Sequence, residues 1–440
     1  MEIKAVIGAN YGDEGKGLVT NFLARKAISE NKCPIVVLNN GGAQRGHTVI
    51  VGHNKHVFHH FGSGTMQGAA TYIADKFILN PIVFVNEYQE LCELGYSPRI
   101  TADYKCLVST PYEMLCSQIV CDFLGINDTC GLGIWETVKQ FEEDNDSIHD
   151  YYWYDCRLKD QKGIDEIKEY LKHKREDLTR LVVSILESKD KLDSDSKIDI
   201  LKTIVEHTAK INIEGLHQHW ISDLRNMIDI FNKNVDITYK LMENPTVIIV
   251  ENGQGVLLDR FKDKRYGTPS RTGAEGVCDF VSNYFLGTQI KKATVELVYV
   301  SRPYITRHGD GPLDNIIEDK ALVSELASRD TTNVPNDYQG TMRFARLDIN
   351  ELFKRVLEDY REGLKNSIAL SAVPMRYSFT LAFTHTEDVS LFQTSPYYMI
   401  VEPCKNIYKN FDNKTKFMST FMYMIASKSY GDLPTVVPLL

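Results

Sequence analysis

Residues 8–17 read GANYGDEGKG and directly follow the apolar run Ile3–Ile7. Three glycines in this stretch, Gly12, Gly15 and Gly17, let the backbone approach a polyphosphate without a clash from a Cβ atom. The N–H groups of the loop, and of the helix that we expect after it, then point at the anion. The stretch therefore predicts a strand, a phosphate-binding loop and a helix in succession.

The charged residues of the loop extend this prediction beyond phosphate binding. Lys16 supplies a point charge for the outer phosphates. Asp13 would repel a phosphate, so it is explained by Mg²⁺ binding, by removal of a proton from a second substrate, or by both. The loop departs from GxxxxGK[ST], because Asn10 replaces the first glycine and Gly17 replaces the hydroxyl residue. A ligand-free turn is the alternative, but such turns rarely need this combination of residues.

Composition narrows the class of protein. The chain has 440 residues, a net charge of −9, and an apolar content of 43%. The acidic balance argues against a general nucleic-acid or membrane binder, and no apolar run approaches the length of a membrane span. The nine cysteines contain no CxxC pair, which favours reduced thiols. We expect a cytoplasmic protein that binds neither nucleic acid nor membrane.

Apolar runs alternate with helical patterns along the chain. The runs typical of strands are Ile3–Ile7, Pro34–Leu38, Thr246–Val250 and Thr294–Val300, and the helical patterns include Leu18–Ser29 and Asp279–Leu286. This alternation predicts an α/β fold, with a large, mostly parallel sheet flanked by helices and a P-loop-like nucleotide-binding arrangement. Residues 137–245 are rich in charge and helical periodicity, so we interpret them as a helical subdomain within a single domain of residues 1–440.

Two further loops at predicted strand ends carry unusual polar sequence. Residues 39–49 place His47 in a glycine-rich stretch, where it is either a hydrogen-bond donor to a phosphoryl group or a core-edge histidine satisfied by the backbone. In residues 250–277, Gln254 can interact with a base edge through a donor and an acceptor, and hydroxyl residues such as Thr272 suit a ribose or phosphate. Parallel sheets bind ligands at these strand ends.

The motifs resemble those of the adenylosuccinate synthetase family, whose signatures GxxWGDEGKG, GGxNAGHT and EGAQGxLLD occur in this order. The chain has GANYGDEGKG at 8–17, GGAQRGHT at 41–48 and ENGQGVLLD at 251–259. Shorter segments that resemble the family's Y-x-T-R-V-G-x-G-P, TTGRGIG and LPSG are YITRHGDGPL at 304–313, TCGLGI at 129–134 and FGSG at 61–64. The resemblance spans nearly the whole chain.

The resemblance implies a ligase that joins IMP and L-aspartate with GTP and Mg²⁺. Asp13 matches the family's catalytic base and His47 its catalytic histidine, and Mg²⁺ would be bound by Asp13 and the carbonyl group of Gly46. The implied triphosphate-binding residues are Gly12, Asp13, Glu14, Gly15, Lys16, Gly17, Gly46, Thr48, His385 and Glu387. Those implied for the nucleotide substrate are Asp13, Gln44, Thr129, Gln254 and Thr272, and those for aspartate are Thr341 and Arg343.

Several positions depart from the family pattern. Gln44 and Arg45 stand where the family has Asn and Ala, and Cys130 replaces the second Thr of TTG. The family's arginine that reaches across a homodimer interface to the substrate phosphate has no clear match, with Arg157 and Arg45 as candidates. The aspartate loop, QGTMRFARLD at 339–348, is shorter than the family's, so the amine donor is open.

The identities of both nucleotides also stay open. The segment THTE at 384–387 replaces the family's guanine-reading T-K-L-D, so the donor is GTP or ATP. An enzyme that makes a 2-amino product from GMP or dGMP is the alternative within the fold, although retention of Asp13 favours IMP. A non-catalytic nucleotide-binding regulator would not need both Asp13 and His47, and a GTPase switch would need the hydroxyl that Gly17 replaces.

Overall fold

A computed structural model describes most of the chain. The described residues are 1–125, 129–143, 161–188, 190–193, 196–243, 247–262, 266–286, 293–309, 311–330, 338, 340–367, 375–385, 392–393, 422–426 and 435–438. Glu387 and Arg157, to which the sequence analysis gave candidate roles, lie outside these ranges.

The strands, numbered in chain order, include both long sheet strands and short loop strands. They are β1 Glu2–Gly8, β2 Pro34–Leu38, β3 Gly41–Gly42, β4 His47–Val51, β5 Asn54–Phe58, β6 Ala70–Ile73, β7 Phe77–Leu79, β8 Ile100–Ala102, β9 Leu107–Val108, β10 Val247–Gly255, β11 Ala293–Ser301, β12 Tyr304–Arg307, β13 Arg343–Asp348, β14 Met375–Phe383, β15 Phe392–Gln393, β16 Met422–Ala426 and β17 Thr435–Pro438.

The α-helices follow the strands in the alternation that the sequence predicts. They are α1 Lys16–Ser29, α2 Pro81–Glu93, α3 Pro111–Leu124, α4 Ile134–Glu143, α5 Gln161–Glu176, α6 Leu178–Ser188, α7 Lys197–Thr208, α8 Ile213–Glu243, α9 Ala274–Leu286, α10 Lys320–Arg329 and α11 Ile349–Ser367. Single 3₁₀ turns occur at Thr65–Gln67 and Val256–Leu258.

The main sheet has the order β17-β16-β14-β11-β1-β10-β2-β6-β8. Its described pairings are parallel except for β16 with β17. Apolar cores cover both faces, as expected for a parallel sheet reached by helical crossovers. The predicted α/β fold with a large, mostly parallel sheet is therefore confirmed.

Several strands and helices have ends that differ from the predicted ends. The third predicted strand, Thr246–Val250, is observed as Val247–Gly255, because the polar residues after Val250 continue the ladder. Glu251, expected just beyond the strand, instead pairs with β1 and β2 inside the sheet. The first helix begins two residues before Leu18, so Lys16 and Gly17 belong to its first turn.

The stretch predicted as a helical subdomain contains α5 to α8 and most of α4. Its apolar side chains, among them Leu171, Val182 and Phe231, belong to the same buried cluster as Val36 and Ile249 of the sheet. The helices thus cover one face of the sheet. The assignment of residues 1–440 to one domain, with a subdomain at 137–245, stays a prediction.

The ends of three neighbouring strands form the edge at which a ligand is expected. The strands β10, β1 and β2 lie side by side and end at Gly255, Gly8 and Leu38. The loops after β1 and β2, together with the end of β10, therefore meet at the carboxyl edge of the sheet. This is the usual location of ligand sites in open parallel sheets.

A buried carboxylate anchors the segment that leads from β5 back to the sheet. Glu87 of α2 accepts the N–H groups of residues 59–61, at 2.8 Å, 2.6 Å and 3.3 Å. Its oxygens also lie 3.6 Å from His56 Nε2 and 3.7 Å from His60 Nδ1. Burial alone would raise the pKa of Glu87, but the contacts with His56 and His60 lower it to about 2.

We expect Glu87→Gln to lower the free energy of unfolding at pH 7 by about 3 kcal/mol, because the carboxylate accepts several N–H groups at once. The pKa of Glu87 falls from 4.5 to about 2 on folding. This contribution is therefore complete above about pH 4.5 and is lost as the pH falls towards 2. Urea unfolding of both proteins at several pH values measures it. Glu90→Gln, at a side chain that is 65% exposed, is the control.

Candidate active site

Glu14 shapes the loop between β1 and α1 from its inner side. The N–H groups of Asn10 and Gly12 donate to Glu14 Oε1 at 2.9 Å, and Lys16 Nζ donates to Oε2 at 2.8 Å. Both charged side chains are 2% exposed. Two N–H groups that we expected to face the phosphates are therefore used by the protein's own carboxylate. Contact of Glu14 or Lys16 with a triphosphate stays a prediction.

Asp13 lies at the turn of this loop, with its carboxylate partly exposed. Its backbone is left-handed, with φ at 60°, a conformation that Asp tolerates better than most residues. Asp13 Oδ2 lies 3.4 Å from His308 Nε2. Burial and the charge of Asp13 together raise the pKa of Cys130 to about 12. Asp13 therefore faces two of the segments that carry the resemblance, 129–134 and 304–313.

His47 begins β4 and is held by a buried carboxylate. Its Nδ1 lies 2.6 Å from Glu251 Oε1, and Glu251 also accepts the N–H and hydroxyl groups of Ser63, at 3.0 Å and 2.5 Å. Arg45 Nη2 lies 3.0 Å from the same Nδ1 and 3.5 Å from Glu251 Oε1. Because a carboxylate only accepts, Nδ1 carries the hydrogen in the short contact. The partner of His47 is thus a carboxylate rather than backbone groups.

The charges in this cluster are set by burial and by the neighbouring groups. Burial, followed by the charge of Arg45, lowers the pKa of His47 to about 4. Burial alone would raise the pKa of Glu251, but His47 and Arg45 lower it to about 2. At neutral pH, Arg45 and Glu251 are an ion pair beside a neutral imidazole. Because the guanidinium of Arg45 faces Glu251, its assignment to a substrate phosphate stays a prediction.

Two glutamine side chains carry buried amide oxygens. Within the described part of the chain, Oε1 of Gln44 and Oε1 of Gln254 make no hydrogen bond. Gln254 also has a left-handed backbone, with φ at 52°. Buried acceptors are rarely left unpaired in proteins, so these two oxygens suit the N–H groups of a bound base.

The two threonines expected to hold the nucleotide substrate differ in accessibility. Thr272 is fully buried, and its hydroxyl donates to the carbonyl group of Gly255 at 2.8 Å. Its N–H group donates to Asp259 Oδ2 at 2.8 Å, so Thr272 fixes the following loop to β10. Thr129 is half-buried, with its hydroxyl 3.3 Å from Ser117 Oγ. Contact of either threonine with the substrate stays a prediction. Of the two side chains, only that of Thr129 is accessible to a ligand.

Strand β12 is tied directly to the loop of residues 8–17. Thr306 Oγ1 donates to the carbonyl group of Gly12 at 3.1 Å. The guanidinium of Arg307 lies over the ring of Tyr11, 4.2 Å from its centroid. These contacts bring His308, the next residue along, to Asp13.

The expected aspartate-binding residues lie on or beside β13, which pairs with β12. Arg343 is opposite Arg307 in the register, and its Nη2 donates to the carbonyl group of Gly311 at 2.7 Å. Thr341 precedes the strand and is exposed. The structure thus brings Arg343 close to the loop through Arg307, whereas contact of either residue with aspartate stays a prediction.

His385 lies beside the phosphate-binding loop. Thr384 Oγ1 donates to the carbonyl group of Glu14 at 2.6 Å and lies 2.8 Å from His385 Nδ1. Since that hydroxyl has only one hydrogen, Nδ1 of His385 donates to it. Burial and the charge of Arg302 lower the pKa of His385 to about 3. A role in reading the donor base stays a prediction.

Three residues in the site had no role in the sequence analysis. Ser63 lies in segment 61–64, and Arg307 and His308 lie in segment 304–313, which the sequence indicated only through their resemblance to the family. The available signal was the replacement of the family's valine by His308, which puts a polar ring beside a glycine turn. Nothing in the sequence indicated that Ser63 would bind Glu251.

The available oxygen ligands fit a magnesium ion that is held mainly by its nucleotide. Asp13 offers a partly exposed carboxylate, and Gly46, next to His47, is exposed. Among the described residues no group of three or more His, Cys, Asp or Glu side chains could hold a metal. Mg²⁺ commonly uses one or two carboxylates together with substrate phosphates and water, so this sparse set suits it.

None of the described helices has the length and apolar character needed to cross a bilayer. No disulfide joins the seven cysteines in the described ranges.

The sequence of the chain is similar to those of proteins from one known family. Residues 5–140 match the family model described as adenylosuccinate synthetase. The chain is 25% identical over 261 residues to the adenylosuccinate synthetase of Borrelia turicatae, covering 59% of this chain and 53% of that protein. It is 27% identical over 324 residues to the enzyme of Dehalococcoides mccartyi, covering 73% and 67%. The matches thus span about half to two thirds of the relatives' length.

A solved structure, the fully ligated adenylosuccinate synthetase from Plasmodium falciparum, shares the fold. The TM-score is 0.53 at 16% sequence identity, with 86% of this chain and 76% of that chain covered. Together with the loop of residues 8–17 and its neighbours at the sheet edge, these matches show that the chain is similar to adenylosuccinate synthetases in sequence and in fold.

Proposed function

We propose that the protein is a carbon–nitrogen ligase that joins IMP and L-aspartate to form adenylosuccinate. A purine triphosphate, GTP, is hydrolysed, and the reaction passes through a 6-phosphoryl intermediate. The observation that carries the proposal is the placement of Asp13. Its partly exposed carboxylate lies on a strained turn of the phosphate-binding loop, and such a group has no use in a simple phosphate cradle.

The first chemical step follows from the position and charge of Asp13. The exocyclic oxygen O6 on C6 of the purine is a poor leaving group, so it must be phosphorylated before an amine can replace it. Removal of the N1 proton by Asp13 makes O6 a nucleophile towards the γ-phosphorus. The bond from the γ-phosphorus to the β–γ bridging oxygen breaks as the bond to O6 forms, and GDP leaves. The amine of aspartate then displaces phosphate from C6.

His47 is the second group that the proposal needs. The residue packs against the first turn of α1, because a Cβ atom added to Gly17 would lie 2.9 Å from His47 Cβ. Its Nδ1 donates to Glu251, which leaves Nε2 for the transferred phosphoryl group. Nε2 of the neutral ring carries no hydrogen, so the ring donates to the phosphoryl group in its protonated form, which the negative charge of a bound triphosphate would favour. Charge that develops on that group in the transition state is stabilised by donors that are already in place.

Mg²⁺ would be held by Asp13 and the carbonyl group of Gly46, and it would supply positive charge beside the phosphates. The acceptor nucleotide would contact Gln44, Thr129 and Gln254, whose polar atoms are described above. Arg343 would hold a carboxylate of aspartate bidentately. A homodimer is part of the proposal on the family resemblance alone.

A phosphate-release assay over a matrix of acceptors, donors and amines tests the proposal. IMP, GMP and dGMP are each combined with GTP or ATP, with and without aspartate. We expect release only with IMP, GTP and aspartate present together. Release of phosphate with GMP or dGMP, and not with IMP, would show that the acceptor nucleotide is a guanylate. Absence of release in every combination would contradict the ligase proposal and favour a nucleotide-binding regulator.

A further inference from the structure

A histidine lies against the proposed base at a position where the family pattern has valine. His308 Nε2 is 3.4 Å from Asp13 Oδ2, and the two side chains are 11% and 26% exposed. In the segment YITRHGDGPL, this histidine replaces the V of Y-x-T-R-V-G-x-G-P. Valine has no polar side-chain atom, so the contact is a feature of this chain.

We propose that His308 is a positioning residue for Asp13. Its Nε2–H donates to one carboxylate oxygen of Asp13 and leaves the other oxygen directed at the acceptor nucleotide. The inference rests on the proposed ligase function, because that function makes Asp13 the general base. It adds to that function a residue that acts through Asp13 and does not touch the reacting atoms.

The position of the His308 ring is fixed from both sides. Its neighbour Arg307 stacks on Tyr11, and Thr306 donates to the carbonyl group of Gly12. On the other side, Gly309 turns the chain with φ at 72°. The imidazole is therefore presented by a segment that is attached to the same loop as Asp13.

Asp13 itself has a need for such a partner. Its side chain extends from a left-handed backbone position on a loop and is partly open to solvent. Cys130 and Arg302 also interact electrostatically with it. A general base acts only when its oxygen is held within hydrogen-bond reach of the proton, so an added hydrogen bond that restricts rotation increases the rate.

The hydrogen-bonding groups of the His308 ring are consistent with donation from Nε2 to Asp13. The carboxylate only accepts, so Nε2 carries the hydrogen. Among the described residues, the buried Nδ1 of His308 has no hydrogen-bond partner. The approach of Nε2 to Asp13 Oδ2, at 3.4 Å, is thus a polar contact that fits the orientation of the ring.

Three variants test the inference by steady-state kinetics. His308→Val, which restores the family's residue, should lower kcat about tenfold or more, with KM for IMP changed by less than about threefold. His308→Gln, whose amide nitrogen can replace Nε2, should recover most of the rate. His53→Val, at an exposed turn between β4 and β5, is the matched control. Melting temperatures of all three are compared with the wild type.

A second measurement does not need turnover. In ¹⁵N-histidine-labelled protein, the His308 signal is assigned by its loss in His308→Gln. We expect hydrogen on Nε2, and a change in its Nε2 resonance in Asp13→Asn. Hydrogen on Nδ1 instead, or an Nε2 signal unaffected by Asp13→Asn, would overturn the inference.

The outcomes separate this inference from the proposed function. If the wild type is active and His308→Val has the wild-type kcat, the inference is wrong and the function stands. Equal losses of rate in His308→Val and His308→Gln, matched by lower melting temperatures, would show a merely structural role and also overturn it. If the wild type releases no phosphate with any acceptor, the proposed function fails, and the NMR result alone decides the contact.

Discussion

Asp13→Ala is expected to lower phosphate release in the complete reaction by about 10²- to 10⁴-fold while the fold stays intact. The carboxylate is the described group that lies at the turn of the loop with access to a ligand and with the capacity to accept a proton. Without it, the N1 proton stays on the purine ring and O6 remains a weak nucleophile.

A second substitution removes an ambiguity in Asp13→Ala. The backbone at Asp13 has φ at 60°, and alanine in that conformation adds strain of about 1–2 kcal/mol. Asparagine tolerates the left-handed conformation and keeps the shape of the side chain, but it cannot accept the proton. We therefore expect Asp13→Asn to be as inactive as Asp13→Ala and to melt at a temperature closer to that of the wild type.

The control is Asp199→Ala, which removes an exposed carboxylate on α7 that pairs with Lys202. It should have the wild-type rate. Full activity of Asp13→Asn with IMP, GTP and aspartate would show that Asp13 is not the general base. Inactivity together with loss of IMP binding would assign Asp13 to substrate binding in place of proton transfer.

The strands could be predicted from the sequence because parallel strands that are buried on both faces are nearly continuous apolar runs. Pro34–Leu38 was predicted at its observed ends, and β1 and β11 within one residue of theirs. Strand β10 was predicted too short because its last residues are polar. Glu251 is buried there through Arg45, His47 and Ser63, which are partners that hydrophobicity cannot indicate.

The loop of residues 8–17 was predicted in its position along the chain, but the directions of its side chains were not. The glycine spacing of residues 8–17 correctly indicated a loop between a strand and a helix. It could not show which side of the loop each charged residue faces. Glu14 and Lys16 pair with each other on the inner side, whereas Asp13 lies on the accessible side. Thr272 is likewise turned inwards by Gly255 and Asp259, which are distant from it in sequence.

His47→Asn is expected to lower kcat by about 10²- to 10⁴-fold with little change in KM for the nucleotides. The amide nitrogen of asparagine reaches the position of Nδ1, so the hydrogen bond to Glu251 is kept. What is lost is Nε2, the nitrogen that the proposed mechanism directs at the phosphoryl group. The contact between Nε2 and the phosphoryl group becomes stronger as negative charge develops in the transition state. Its loss therefore lowers kcat and has little effect on the binding of the substrates.

His47→Gln and His53→Asn make this prediction specific to one nitrogen. Glutamine places an amide near Nε2 and gives up the contact of Nδ1 with Glu251, so its rate should lie between those of His47→Asn and the wild type. His53 is exposed on a turn, and its substitution should leave the rate unchanged. A wild-type kcat in His47→Asn would remove the imidazole from phosphoryl transfer. The buried cluster of Glu251, Arg45 and Ser63 would then be a structural link between β10 and the loop after β2.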